Sequence, residues 1–85
     1  MMYRVEVART AEREIHRLPR DIQVRILRAL TGLEKDPRPS GSRKLVGAQD
    51  LWRIRIGMYR VIYLINDGIK LVRVERAGHR SDVYR

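Results

Sequence analysis

Apolar and charged residues alternate along Tyr3-Arg4-Val5-Glu6-Val7, the two-residue period of a half-buried strand. The period then lengthens. Ala11, Ile15 and Leu18 recur at helical spacing, Thr10 is placed to cap that helix, and Glu12 and Glu14 sit near its positive end. Leu18-Pro19-Arg20-Asp21 breaks the pattern, and a second helix follows that buries Ile22, Ile26, Ala29, Leu30 and Leu33. Asp36-Pro37-Arg38-Pro39-Ser40-Gly41-Ser42 stops it. The remainder has the period of strands. Lys44-Leu45-Val46 is a short one. Leu51 to Ile56 sets Trp52, Ile54 and Ile56 on one face and Arg53 and Arg55 on the other. Tyr59 to Ile65 is nearly all apolar, as a central strand is. Asn66-Asp67-Gly68 is a hairpin signal before a last long strand from Ile69 to Ala77, with Gly78 to Arg85 as a short tail. The pattern predicts one α+β domain over residues 1–85: an N-terminal strand, a helical hairpin, then an antiparallel β-meander with both helices packed on one sheet face.

Composition narrows this. The chain has 85 residues, no Cys and no Phe, so Ile, Leu and Val must build the core, and disulfides, thiol chemistry and Cys-based zinc sites are excluded. No apolar run approaches the roughly 18 residues of a membrane span, and the first residues hold no signal-peptide apolar region. A soluble cytoplasmic protein is the expectation. The two distant histidines and scattered carboxylates have no metal-ligand spacing, and no phosphate-binding glycine loop or serine nucleophile elbow is present, so catalysis without metal or cofactor is expected.

Charge changes the picture most. Lys and Arg number 19 against 10 Asp and Glu, a formal +9, and residues 43–85 carry 10 basic and 4 acidic side chains. Arginine's planar fork binds phosphate bidentately, so the balance points to nucleic acid, an acidic protein, or both. Gly57-Met58 fits a two-residue turn with Gly at its first central position. In that register Ile56 faces Tyr59 and Arg55 faces Arg60, with Arg53 on the same face. Like charges directly opposite cost roughly 0.2–1 kcal/mol, a cost that an anion held among them would relieve. A solvated face with each Arg paired to a carboxylate is the alternative. In the tail, His79 can exchange protons near neutrality, and positive surroundings favour the phenolate of Tyr84. Bases beside arginines suit phosphoryl chemistry, where positioning and charge stabilisation do most of the catalysis.

The segment Leu51-Trp52-Arg53-Ile54-Arg55-Ile56-Gly57-Met58-Tyr59-Arg60-Val61-Ile62-Tyr63 resembles the central signature of the RelE/ParE toxin superfamily, and Gly78-His79-Arg80 with Asp82-Val83-Tyr84 resembles its C-terminal signature. The opening strand, the Leu18-Pro19 break, the Asp36-Pro37 stop and Lys44-Leu45-Val46-Gly47 match in order and spacing, so the resemblance runs from Tyr3 to Arg85. It implies a RelE-like fold and the toxin of a type II toxin–antitoxin pair. It further implies a ribosome-dependent, metal-independent endoribonuclease (an mRNA interferase) that enters the A site, contacts 16S and 23S rRNA, and cuts the messenger by attack of the ribose 2′-OH, stopping translation. By position, Arg60 matches the arginine that stabilises the developing phosphate charge. Arg80 matches the one that protonates or stabilises the leaving side, and Tyr84 the tyrosine that orients or activates the nucleophile.

Arg53 and Arg55 stand where some active relatives carry lysine. Arginine cannot act as a base, its pKa staying above about 12. Another branch uses a glutamate where this chain reads Arg43-Lys44-Leu45, so proton abstraction falls to Tyr84 or His79. The catalytic candidates are therefore Arg55, Arg60, His79, Arg80 and Tyr84, with Arg43, Lys44, Arg53 and Arg55 as phosphate-binding cations. The missing Lys and Glu bases keep two alternatives open: a ParE-like inhibitor of DNA gyrase without nuclease activity, and an inactive homologue acting with its antitoxin as a co-repressor. All readings imply an acidic, RelB-like antitoxin that folds on binding, and a complex that binds operator DNA.

Overall fold

The computed structural model describes residues 2–47 and 49–81. The elements run β1 (Arg4–Val7), α1 (Arg9–His16), α2 (Arg20–Leu33), β2 (Arg43–Lys44), β3 (Leu51–Ile56), β4 (Tyr59–Asn66) and β5 (Leu71–His79). They form one sheet in the order β1-β5-β4-β3-β2. The β2 to β5 pairings are antiparallel, and β1 joins the edge of β5 in parallel. The helical hairpin carries the chain from β1 at one sheet edge to β2 at the other, and the antiparallel run from β2 to β5 returns it beside β1.

Both helices cover one face. Ala11 and Ile15 of α1, and Ile22, Ile26, Leu30 and Leu33 of α2, share a core with Ile54, Ile56, Val61, Tyr63, Ile65, Val72, Val74 and Ala77 of the sheet. Each fully buried Leu or Ile here contributes about 1.5–3 kcal/mol. Tyr63 is wholly buried and donates its hydroxyl to the Pro37 carbonyl at 2.8 Å, so the loop after α2 is tied to the central strand. No helix among the described residues is long and apolar enough to cross a membrane.

Three local differences from the sequence reading have physical causes. First, α1 begins at Arg9, with Ala8 as N-cap and no side-chain cap. The Ala8 N–H donates to the Val74 carbonyl, and the Ala8 carbonyl accepts from Glu12, so strand pairing passes straight into the helix and Thr10 lies inside it. Second, β2 ends at Lys44, because Leu45 donates to Leu51 to close a turn containing Gly47 (φ 76°) and Asp50 (φ 62°). Third, β5 starts at Leu71: the Asn66 side chain accepts from Gly68 and Ile69 and winds a longer turn, with Lys70 at φ 54°.

A bulge in β5 has the largest consequence. Ile62 pairs with Arg76 but Tyr63 pairs with Val74, leaving Glu75 as an extra residue. The side-chain alternation therefore changes phase. Val72 and Val74 face the core before the bulge and Ala77 after it.

At the sheet end holding the β4–β5 turn, Asp67 accepts two hydrogen bonds from Arg38, at 3.2 and 2.8 Å, and one from Tyr3. Arg38 also lies over the Trp52 ring, 5.1 Å from its centroid. Arg38, then Tyr3, hold the Asp67 carboxyl down to about 2. Because the folded value lies below the unfolded one near 3.9, this contribution is complete above about pH 4 and is lost as pH falls through 2. We expect the fall in urea midpoint between pH 5 and pH 2.5 to be smaller in Asp67→Asn than in the wild type. Equal falls would contradict the assignment.

Candidate phosphate-binding and catalytic face

The face away from the helices is built by β3 and β4. With Ile54 and Ile56 turned into the core, Arg53 and Arg55 must turn outward, as does Arg60 beside Val61. Gly57, with φ 61°, takes the first central position of the β3–β4 turn and suits the twist of a tight hairpin. The resulting register sets Ile56 opposite Tyr59 and Arg55 opposite Arg60. Arg60 in turn faces Gly78, which has no side chain to crowd it, and Arg43 pairs with Arg53, which pairs with Ile62. Two adjoining rows of cations result, Arg43–Arg53 and Arg55–Arg60. Arg80 joins them because its N–H donates to the Met58 carbonyl at 3.0 Å, extending β5 alongside the turn.

Two concavities mark this face. One, of about 260 Å³, is lined by Ser40, Gly41, Arg43, Arg53, Ile54 and Arg55. The other, of about 170 Å³, is lined by Arg55, Gly57, Met58, Arg60 and Arg80. Arg55 belongs to both. Arg53 is buried, with 8% of its surface exposed, whereas Arg55 is exposed and Arg60 half-buried. Among the described residues the carboxylate ion pairs lie elsewhere, as Arg4–Glu6, Arg38–Asp67, Arg73–Glu75 and Arg76–Glu14. Arg43, Arg55 and Arg80 make none of these, so the reading of a face neutralised arginine by arginine does not describe them.

Two candidates project elsewhere. Lys44 pairs with Trp52, whose ring packs on the core, so Lys44 projects toward the helix side of the edge strand. His79 pairs with Tyr59, stands edge-on to its ring (centroids 5.7 Å apart, planes at 84°), and places Nδ1 2.9 Å from the Ser81 hydroxyl. Tyr59 packs on the core, so His79 lies on the opposite side of the sheet from Arg55 and Arg60. The bulge at Glu75 is the reason: unbroken alternation from Val72 and Val74 would have turned residue 79 toward the arginines.

None of the described tyrosines stands among the arginines. Tyr63 is buried, and burial pushes its phenol up to about 12. Tyr59 packs on the core, and Tyr3 is bonded to Asp67 at the far end. Tyr84 lies outside the described residues. The face can thus bind a polyanion and stabilise negative charge. Sequence reasoning missed Gly78 as the space opposite Arg60, because its place follows from the bulge. It also missed Ser40 and Gly41 as walls, since loops carry no periodic signal.

The chain is thus a small α+β domain whose sheet face away from the helices is lined by arginine. The family model described as the ParE toxin of a type II toxin–antitoxin system matches residues 5–84. Toxin RelG of Mycobacterium tuberculosis is 35% identical over 89 residues, covering 100% of this chain and 99% of that one. Toxin RelE of the same organism is 33% identical, covering 98% of this chain and 87% of that one. Among solved structures, the archaeal RelE–RelB complex of Pyrococcus horikoshii superposes with a TM-score of 0.84 at 32% identity, covering 98% of this chain and 100% of that one. The chain belongs to the RelE/ParE superfamily, as a RelE-like toxin of a type II toxin–antitoxin system.

Proposed function

We propose that this toxin is a ribosome-dependent endoribonuclease that cuts messenger in the A site, with Arg60 at the reacting phosphate. The observation that carries the reading is the convergence of Arg55, Arg60 and Arg80 on one concavity beside the β3–β4 turn. The 2′-OH gives up its proton to a base, and its oxygen bonds to the adjacent phosphorus. The bond to the 5′ oxygen then breaks, and that oxygen takes a proton, leaving a 2′,3′-cyclic phosphate and a 5′-OH. Arg60 stabilises the charge on the five-coordinate phosphorus, and Arg80 acts on the leaving side. Arg43, Arg53 and Arg55 hold neighbouring phosphates and ribosomal RNA. Tyr84 is the base we assign, on the match of the C-terminal signature, because His79 projects from the other side of the sheet.

The partner under this reading is a RelB-like antitoxin. The P. horikoshii relative is described as a RelE–RelB complex, and a face this basic attracts an acidic, partly disordered chain. The pair binds operator DNA. A second reading, inhibition of DNA gyrase, is favoured by the family model itself, which is that of ParE. Expression without antitoxin, followed by amino-acid incorporation and by supercoiling with purified gyrase, separates the two. The nuclease reading predicts arrested translation, unimpaired gyrase, and loss of arrest in an Arg60→Ala/Tyr84→Phe double variant. Inhibited gyrase with intact messenger would select the second reading.

A further inference from the structure

A third concavity lies between α2 and β3 and opens beside the arginine face. It measures about 270 Å³, and its walls include Ala29 and Gly32 of α2, Pro39 of the following loop, and Ile54 and Ile56 of β3, with Arg55 at its rim. Its origin is clear from the pairing. Strand β2 reaches only Trp52 and Arg53, so among the described residues no strand pairs with the edge of β3 from Ile54 onward, and the small residues of α2 do not fill the gap. It is continuous with the cleft lined by Arg43, Arg53 and Arg55, since Ser40, Ile54 and Arg55 belong to both. At the turn end stands a second cation. Arg25, one helical turn before Ala29, holds its guanidinium nitrogens 3.5 and 3.9 Å from where a Cβ on Gly57 would lie. Arg25 was not legible as a site residue, because only the packing of α2 over the β3–β4 turn brings it there.

A shallow apolar trough with Arg55 on its rim and Arg25 beside its turn end, continuous with the arginine face, matches one chemical unit. That unit is a nucleobase, flat and apolar on its faces, flanked by its two phosphates. A peptide strand added to the edge of β3 is the competing occupant. The uncovered stretch is three residues long, which gives such a strand few backbone bonds. We propose that this cleft is a second nucleotide subsite: it takes a base of the RNA strand next to the scissile phosphate, with Arg55 at the rim and Arg25 beside the turn holding the phosphates of that nucleotide. The proposal rests on the reading of the arginine face as an RNA site and names how that site extends over the helix side.

Gly32 provides the test. A Cβ added there meets nothing within 4 Å, and Gly is a poor helix residue, so Gly32→Leu is compatible with the fold and fills the trough. Binding of fluorescent 2′-O-methyl RNA, which cannot be cut, is measured for a dinucleotide and a hexanucleotide. The wild type is expected to bind the hexanucleotide more tightly. Gly32→Leu should lose about tenfold on the hexanucleotide and nothing on the dinucleotide, the scale of losing one base's apolar contact with the trough. Arg25→Gln, at an exposed position, should weaken the hexanucleotide and reduce the slope of log affinity against log salt by about 0.7, the value of one phosphate contact. Hexanucleotide binding unchanged in both folded variants overturns the subsite, including the case where Gly32→Leu weakens only the antitoxin. A wild type that binds neither oligonucleotide overturns it together with the RNA reading of the arginine face.

Discussion

Arg60→Ala is expected to lower messenger cleavage on programmed ribosomes by about 10²–10³-fold, the usual loss when one donor aimed at developing charge is removed. Several features make Arg60 the most sensitive position. It is half-buried, opposite Arg55 across the hairpin and opposite Gly78 on its other side, and it lines the same concavity as Arg80. A guanidinium held there is partly withdrawn from water, so its field on a phosphate is screened less than that of an exposed Arg. Arg60→Lys keeps the charge but loses the fork, and should recover only part of the rate. The loss should appear in kcat more than in KM, because the other arginines still hold the strand. Full activity in a folded Arg60→Ala protein would remove Arg60 from the chemistry.

The second large effect is on stability. Among the described residues β5 has no strand neighbour on the β1 side beyond Val74, so its edge N–H groups need other partners. Glu14 of α1 supplies one: its carboxylate accepts from the Ala77 N–H at 3.0 Å and from the Arg76 guanidinium at 3.1 and 3.0 Å. A side chain thus continues the sheet edge where β1 stops. Glu14→Ala strands the Ala77 N–H and is expected to cost about 2 kcal/mol. Most of that belongs to the backbone bond, since Arg76 is 39% exposed and its ion pair is screened by solvent. For a domain of this size the melting temperature should fall by on the order of 10 °C. Glu14→Gln keeps an acceptor and should recover more than half of the loss. An unchanged urea midpoint in Glu14→Ala would show that water satisfies the edge equally well.

The parts legible in the sequence are those set by local rules. Gly57-Met58 dictates the turn, the turn dictates the register, and the register places Arg55 opposite Arg60. The helix faces followed from the spacing of Ile22, Ile26, Leu30 and Leu33, all of which are buried. What failed was set by pairing between distant segments. Thr10 has no capping role because the Ala8 N–H bonds to the Val74 carbonyl, and the face of His79 was not readable because an extra residue at Glu75 shifts the alternation. The burial of Arg53 was equally hidden, because alternation assigns a side chain to a face and leaves open how much surface covers it. The arginine face was readable, but the walls contributed by α2 and the loop after it required the tertiary packing.

The central claim is that the arginine face cuts RNA on the ribosome, and end-mapped cleavage of messenger on programmed ribosomes tests it most directly. With ribosomes present, the wild type should make a cut within the A-site codon, leaving a 2′,3′-cyclic phosphate and a 5′-OH; the same messenger free in solution should survive, and Tyr84→Phe should cut far more slowly. Intact messenger on ribosomes carrying the folded wild-type protein would contradict the account and leave the arginine face as a binding surface.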